Sequence, residues 1–109
     1  MGVVQPNNEQ FAYVTTIGRK TGLPRQIEIW FVEYDGGVYV LAEHGYRANW
    51  VQNIQKNPEV QVRIGKDEWT AKAHIVDEAQ ESETYLNVRQ CSRQKYNWGD
   101  GLPVRIGLI

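Results

Sequence analysis

Six short runs of this chain alternate apolar and polar residues with a period of two. The cleanest is Val60-Gln61-Val62-Arg63-Ile64, which puts Val60, Val62 and Ile64 on one face and Gln61 and Arg63 on the other. A period of two is the repeat of a half-buried β-strand, and an α-helix would scatter the same residues around its axis. In the first run Phe11, Tyr13, Thr15 and Ile17 share a face, opposite Ala12, Val14 and Thr16. In the second, Ile27, Ile29 and Phe31 oppose Gln26, Glu28, Trp30 and Val32. Tyr34-Asp35-Gly36-Gly37 then joins a third run carrying Val38, Val40 and Ala42. Asp-Gly suits the two positive-φ positions of a tight hairpin turn. Gly65–Glu68 turns the fourth run into a fifth, from Trp69 to Val76, with Ala71, Ala73 and Ile75 against Lys72 and His74. Val104, Ile106 and Leu108 mark the sixth.

Two segments break this rhythm. Arg47–Glu59 places Trp50, Val51 and Ile54 at helical spacing, and Asn57-Pro58 ends it because a residue before proline avoids the helical region. Asp77–Lys95 contains neither Gly nor Pro and reads as a second helix with Tyr85, Leu86 and Val88 on its apolar side. The order is β-β-β-α-β-β-α-β. Hairpin-linked strands with few helices imply a mainly β fold whose antiparallel sheet closes into a barrel and so removes its edges. Residues 1–10 read as a flexible polar tail and 11–109 as one domain, a size that can bury a core without staples.

Composition excludes several classes. The net charge is −1, which leaves no basic stripe for nucleic acid. The single cysteine, Cys91, rules out an internal disulfide or a cysteine zinc cage, and packing is its expected role. His44 and His74 lie far apart without a ligand set, so no metal is expected. No apolar window is long enough to span a membrane, and no signal-peptide pattern opens the chain. Met-Gly is followed by Pro6 where myristoylation wants Ser or Thr. These features lead to a cytoplasmic expectation. No Ser-His-Asp, Cys-His or paired-carboxylate arrangement is legible, which suits an enzyme whose cofactor carries the chemistry.

The stretch Gly18-Arg19-Lys20-Thr21-Gly22-Leu23-Pro24-Arg25 concentrates three cations and two glycines. Backbone N–H groups beside glycines can converge on an anion, and the arginine forks match phosphate or carboxylate oxygens. The same stretch also serves as a charged hairpin tip, since cations on a strand edge deter aggregation. No helix follows, so it is not a P-loop.

Context favours the anion seat. "TTIGRKTGLPRQIEIWFV" followed by "ANWVQNIQKNPEVQVRI" resembles the deazaflavin-dependent nitroreductase and quinone-reductase family. An uncharacterised bacterial sister family is equally similar. Both belong to the split β-barrel group that includes flavin-binding pyridoxamine phosphate oxidases. The resemblance covers residues 11–77 and, more loosely, the last strand. It implies a six-stranded antiparallel split β-barrel with two helices. It also implies a reductase that passes a hydride from reduced coenzyme F420 to a nitro compound, quinone or enone-like acceptor, with FMN as the alternative cofactor. Arg19, Lys20, Thr21 and Arg25 would hold the cofactor's anionic end, while Glu28, Trp30, Trp50 and Asn53 would line its ring. Tyr96 and Trp98 would border the substrate, and His44 and Tyr96 are the candidate proton donors. A homodimer is open, because this superfamily often seats flavin between subunits.

The chain departs from the family at three places. Glu43-His44 stands where Ser-Lys is frequent, Trp30 where a smaller aromatic is common, and no N-terminal helix is legible before the first strand. A non-catalytic barrel that binds flavin or another planar anion is the competing expectation. Trp69 is expected to close a hairpin, and His74 to occupy a polar strand face.

Overall fold

The computed structural model describes residues 10–108, so all of the expected tail at residues 1–10 but Gln10 lies outside the described residues. The strands are β1 (Phe11–Ile17), β2 (Pro24–Tyr34), β3 (Gly37–Ala42), β4 (Glu59–Ile64), β5 (Asp67–Lys72), β6 (His74–Ile75) and β7 (Leu102–Leu108). The helices are α1 (Asn49–Lys56), entered through a 3₁₀ turn at Gly45–Arg47, and α2 (Ser82–Tyr96). Every strand pairing is antiparallel, in the order β5-β4-β1-β2-β3-β7-β6.

The two ends of that order are consecutive in sequence. The expected fifth strand, Trp69 to Val76, is really two strands. β5 pairs with β4, the chain shifts at Ala73, and β6 pairs with β7. One run of chain therefore joins both edges of the sheet and curls it into a barrel, giving seven strands instead of six. The break has no Gly or Pro to announce it, because it is imposed by closure. Trp69 seals the seam. Its indole Nε1–H donates to the Ile106 carbonyl at 3.0 Å, across the barrel and not within its own hairpin. Gly107 allows this approach, since a Cβ there would sit 2.5 Å from the indole nitrogen.

The barrel core is the inward face that the alternation defines. Ala12, Val14, Phe31, Val38, Val40, Val60, Val62, Ile64, Val104 and Ile106 form one buried cluster, closed at one end by Ile54 of α1. The Tyr34–Gly37 turn takes the expected form, with Asp35 at φ 49° and Gly36 at φ 77°. Asn57 leaves α1 in an extended conformation before Pro58, as the dipeptide requires.

The second helix differs from expectation at its start and on one face. It begins at Ser82, not Asp77. The Asp77 carboxylate accepts the Ala79 and Gln80 N–H groups, both at 2.8 Å, which makes a turn in place of a helical one. Val88 is buried against Val32, Tyr39 and Leu41, but Leu86 is 61% exposed and does not belong to the packed face.

β2 is the strand that carries the site. Its first half pairs with β1 as far as Trp30, and its second half pairs with β3 from Phe31. At this transfer the Phe31 carbonyl is taken by α2, which donates to it from Lys95 Nζ at 3.1 Å and from the Tyr96 hydroxyl at 2.5 Å.

Candidate functional site

The residues singled out in the sequence gather into one composite groove. Its larger compartment, about 780 Å³, is lined by Glu28 and Trp30 of β2, Glu43 and His44 after β3, Trp50 of α1, and Tyr96 and Trp98. Its smaller compartment, about 390 Å³, is lined by Arg19, Lys20, Thr21, Arg25 and Asn53. Ile27, Asn49 and Trp50 line both, so the compartments abut. The larger volume lies in the range of small-molecule pockets.

The cationic compartment is built by bracing the 18–25 loop against α1. Asn53 is buried beneath it. Its amide oxygen accepts the Arg19 N–H at 3.1 Å and the Arg19 guanidinium at 2.9 Å, and its amide nitrogen donates to the Thr16 hydroxyl at 3.0 Å. Arg19 also reaches the Asn49 side-chain and main-chain oxygens, and Lys56 donates to the Arg19 carbonyl. These bonds tie the loop to α1, and Arg19 and Asn53, which the sequence pointed to for cofactor contact, both line the compartment as well. The expected nest of loop amides is also largely spent. The Gly18 N–H donates to Leu23 O, Gly22 N–H to Gly18 O, and Leu23 N–H to the Thr21 hydroxyl. Lys20 and Arg25 are exposed, and among the described residues no carboxylate or carbonyl holds their side chains. Both line the smaller compartment.

The aromatic compartment owes its shape to α2 and the loop after it. Tyr96 stacks on Trp30 with centroids 4.5 Å apart and planes 9° from parallel. The Tyr96 hydroxyl proton is engaged by the Phe31 and Gln10 carbonyls, and burial pushes this phenol up to about 12. A phenol so held is a poor proton donor near neutrality. Trp98 is fixed through its carbonyl, which accepts the Ser92 hydroxyl at 2.5 Å, while Arg89 donates to Gly99 O at 2.7 Å. Burial lowers the Lys95 pKa, and the charge of Glu33 opposes that shift.

His44 stands exposed at the rim, with no side-chain hydrogen bond among the described residues. Glu28 accepts the Tyr13 hydroxyl at 2.6 Å. Phe11, Ile27, Ile29 and Asn49 line the groove too, and the sequence reading did not single them out as site residues. For Phe11 the available signal was its outward position on β1, beside Trp30, whereas Ile27 and Ile29 share the inward face of β2 with Phe31 and are only partly covered. An apolar residue on a solvent face of a barrel strand asks for something to cover it.

His74 and Cys91 lie away from the groove. His74 Nε2 meets Glu81 at 2.9 Å, and Cys91 packs against the cluster under α2. Among the described residues no group of three or more His, Cys, Asp or Glu could hold a metal ion, and no helix is long and apolar enough to cross a membrane.

A curled antiparallel sheet with two helices and an external groove along β2 defines a split-barrel-like fold. The fold recurs in solved structures. It is similar to the heme storage protein HutZ of Vibrio cholerae (TM-score 0.75, 18% identity, 94% of this chain and 84% of that one). It is equally similar to a conserved hypothetical protein of Mycobacterium tuberculosis (TM-score 0.75, 18% identity, 94% and 75%). It also resembles an F420-H2 dependent reductase, FDR-A (TM-score 0.67, 23% identity, 90% and 93%). The chain belongs to the F420H(2)-dependent quinone reductase family, whose model matches residues 3–108. Coenzyme F420, a deazaflavin, is the cofactor of that family.

Proposed function

We propose that the groove binds coenzyme F420 and that the protein reduces a small, flat, electron-poor acceptor such as a quinone or nitro compound. The observation that carries this reading is the abutment of a cationic and an aromatic compartment through Trp50, Asn49 and Ile27. A long cofactor with an anionic end and a planar ring asks for that combination. Lys20, Arg25 and Thr21 would hold the anionic end, on a loop positioned by Arg19 and Asn53. Trp30, Trp50 and the Glu28–Trp30 edge of β2 would line the ring, and Tyr96 and Trp98 the acceptor.

When bound, a reduced deazaflavin supplies a hydride. The residues of this chain bind, orient and shield. Trp30 and Tyr96 present flat apolar surface that excludes water from the reacting faces. The proton donor in this reading is His44 at the rim, since the Tyr96 hydroxyl is committed to main-chain carbonyls. Most of the acceleration then comes from holding two planar partners together.

Titration of tryptophan fluorescence with coenzyme F420 and with FMN tests this reading. Saturable quenching by the deazaflavin, lost in Lys20→Ala, and turnover of a quinone with the reduced cofactor are the expected results. Absence of binding by both cofactors would overturn it. The competing reading is a carrier of a planar anion. It draws on the commitment of Tyr96 and on the fold shared with a heme storage protein. Binding without turnover would select it.

A further inference from the structure

We propose that the acceptor half of the groove selects flat acceptors by charge, taking cationic ones, such as iminium or N-alkylpyridinium rings, in preference to anionic ones. The inference rests on the reductase reading above and concerns its substrate.

Charge is segregated between the two compartments. The smaller one is lined by Arg19, Lys20 and Arg25 and by no acidic residue. Among the described residues the larger one is lined by Glu28 and Glu43 and by no lysine or arginine. An anionic cofactor end seated on Lys20 and Arg25 would neutralise cations that line the smaller compartment, while Lys95, 5.0 Å from the Tyr96 ring centroid, does not itself line the larger one among the described residues. The lining of the larger compartment would then offer the acceptor two carboxylates and, among the described residues, no lysine or arginine. Glu43 has no hydrogen-bond or ion-pair partner among the described residues, and Glu28 accepts the hydroxyl of Tyr13, whose ring the Arg63 guanidinium covers at 4.2 Å. His44 is the one other titratable group on the rim, and Tyr96 the one in the wall.

The walls act in the same direction. Trp30, Trp50, Trp98 and Tyr96 line the larger compartment, and aromatic faces carry negative quadrupoles that attract a cation and repel an anion. The proton supply fits as well. A quinone needs one proton besides the hydride, yet the Tyr96 hydroxyl is held by two carbonyls. An iminium carbon needs none. It takes a hydride, two electrons and one hydrogen, and becomes a neutral amine carbon as the C=N π bond closes onto nitrogen. The reduced deazaflavin is oxidised and its remaining proton goes to water, so one cation is consumed and one proton released.

A pair of flat three-ring probes tests this, by equilibrium dialysis against the full chain, without cofactor and with oxidised coenzyme F420. The probes are 10-methylacridinium, a cation, and anthracene-9-carboxylate, an anion. The cation should bind about tenfold more tightly at low salt, as expected for two solvent-screened carboxylates. The preference should grow when coenzyme F420 is present. Glu43→Gln should cut it about threefold, and Glu28→Gln with Glu43→Gln should abolish it. Equal binding of the two probes, tighter binding of the anion, or a preference unchanged in the double variant would overturn the proposal. Coenzyme F420 binding without cation preference removes this inference alone. Cation preference without F420 binding removes the reductase reading instead.

Discussion

Replacing Asn53 by alanine tests whether the anion loop is held from below. The side chain is 4% exposed and makes three hydrogen bonds, two to Arg19 and one to Thr16. Thr16 is fully buried, so its hydroxyl would lose its partner with no water to replace it. A stranded buried polar group costs about 1–3 kcal/mol. Arg19 keeps Asn49 and gains solvent, so its loss is smaller, about 0.5–1.5 kcal/mol. Together these give a destabilisation of about 1.5–4.5 kcal/mol, which at about 4–5 °C per kcal/mol is roughly 6–20 °C in midpoint for a domain of this size. Urea unfolding read by tryptophan fluorescence measures it. Asn53→Asp keeps acceptors for Arg19 and can accept from Thr16, so it should cost less than alanine. Coenzyme F420 affinity should fall in both stably folded variants in proportion to the loosening of the loop. A change below about 0.5 kcal/mol in Asn53→Ala would refute the bracing argument, because such values are usual for surface positions.

Lys20→Ala should weaken coenzyme F420 binding about tenfold or more, the worth of one charge-assisted bond, and leave the unfolding midpoint unchanged; a calorimetric titration decides it. Tyr96→Phe retains the stack on Trp30 and should keep turnover with a quinone within about threefold, whereas a fall of 100-fold would make its hydroxyl the proton donor after all. Lys95→Met should cost less than about 0.5 kcal/mol by urea unfolding, because the burial that lowers its pKa already offsets its bond to Phe31. The Asp77 N–H, followed by the His74 pair, holds the Glu81 carboxyl below its ordinary value against an opposing desolvation. A depressed folded pKa gives stability that is present above the ordinary carboxylate value and lost as pH falls through the lowered one. Glu81→Gln should therefore lose about 0.5 kcal/mol at neutral pH and show a flatter acid limb in a pH series of urea melts.

Local rules carried much of the fold into the sequence. The alternation of Val60, Val62 and Ile64, the Asp35-Gly36 turn and the Pro58 stop are decided within a few residues, so they could be read directly. The break at Ala73 could not. It is set by the distance between the two edges of the sheet, which no short window contains. Asp77 misled for a related reason. Its lack of Gly or Pro looked helical, but its side chain competes for the next backbone N–H groups. At the site, composition pointed to Lys20 and Arg25 because clustered cations are visible in one dimension. The bracing role of Arg19 was hidden, since its partners Asn49 and Asn53 lie 30 and 34 residues away. The fixing of Phe31 by Lys95 and Tyr96 spans more than sixty residues and has no sequence signature.

The seam made by β5 and β6 also bears on how the molecule assembles. The β2–β3 and β4–β5 hairpins pair residues close in sequence, so they need little loop entropy to form. β6 meets β7 only by bringing His74 to Arg105, with α2 and the loop after it looped out between them. That closure costs chain entropy before any contact repays it. The ring therefore belongs to the late, non-local stage of folding. The groove depends on that stage as well, because Tyr96 and Trp98 arrive with the segment that must be looped out. A chain caught before closure would hold its cationic loop and lack its aromatic wall.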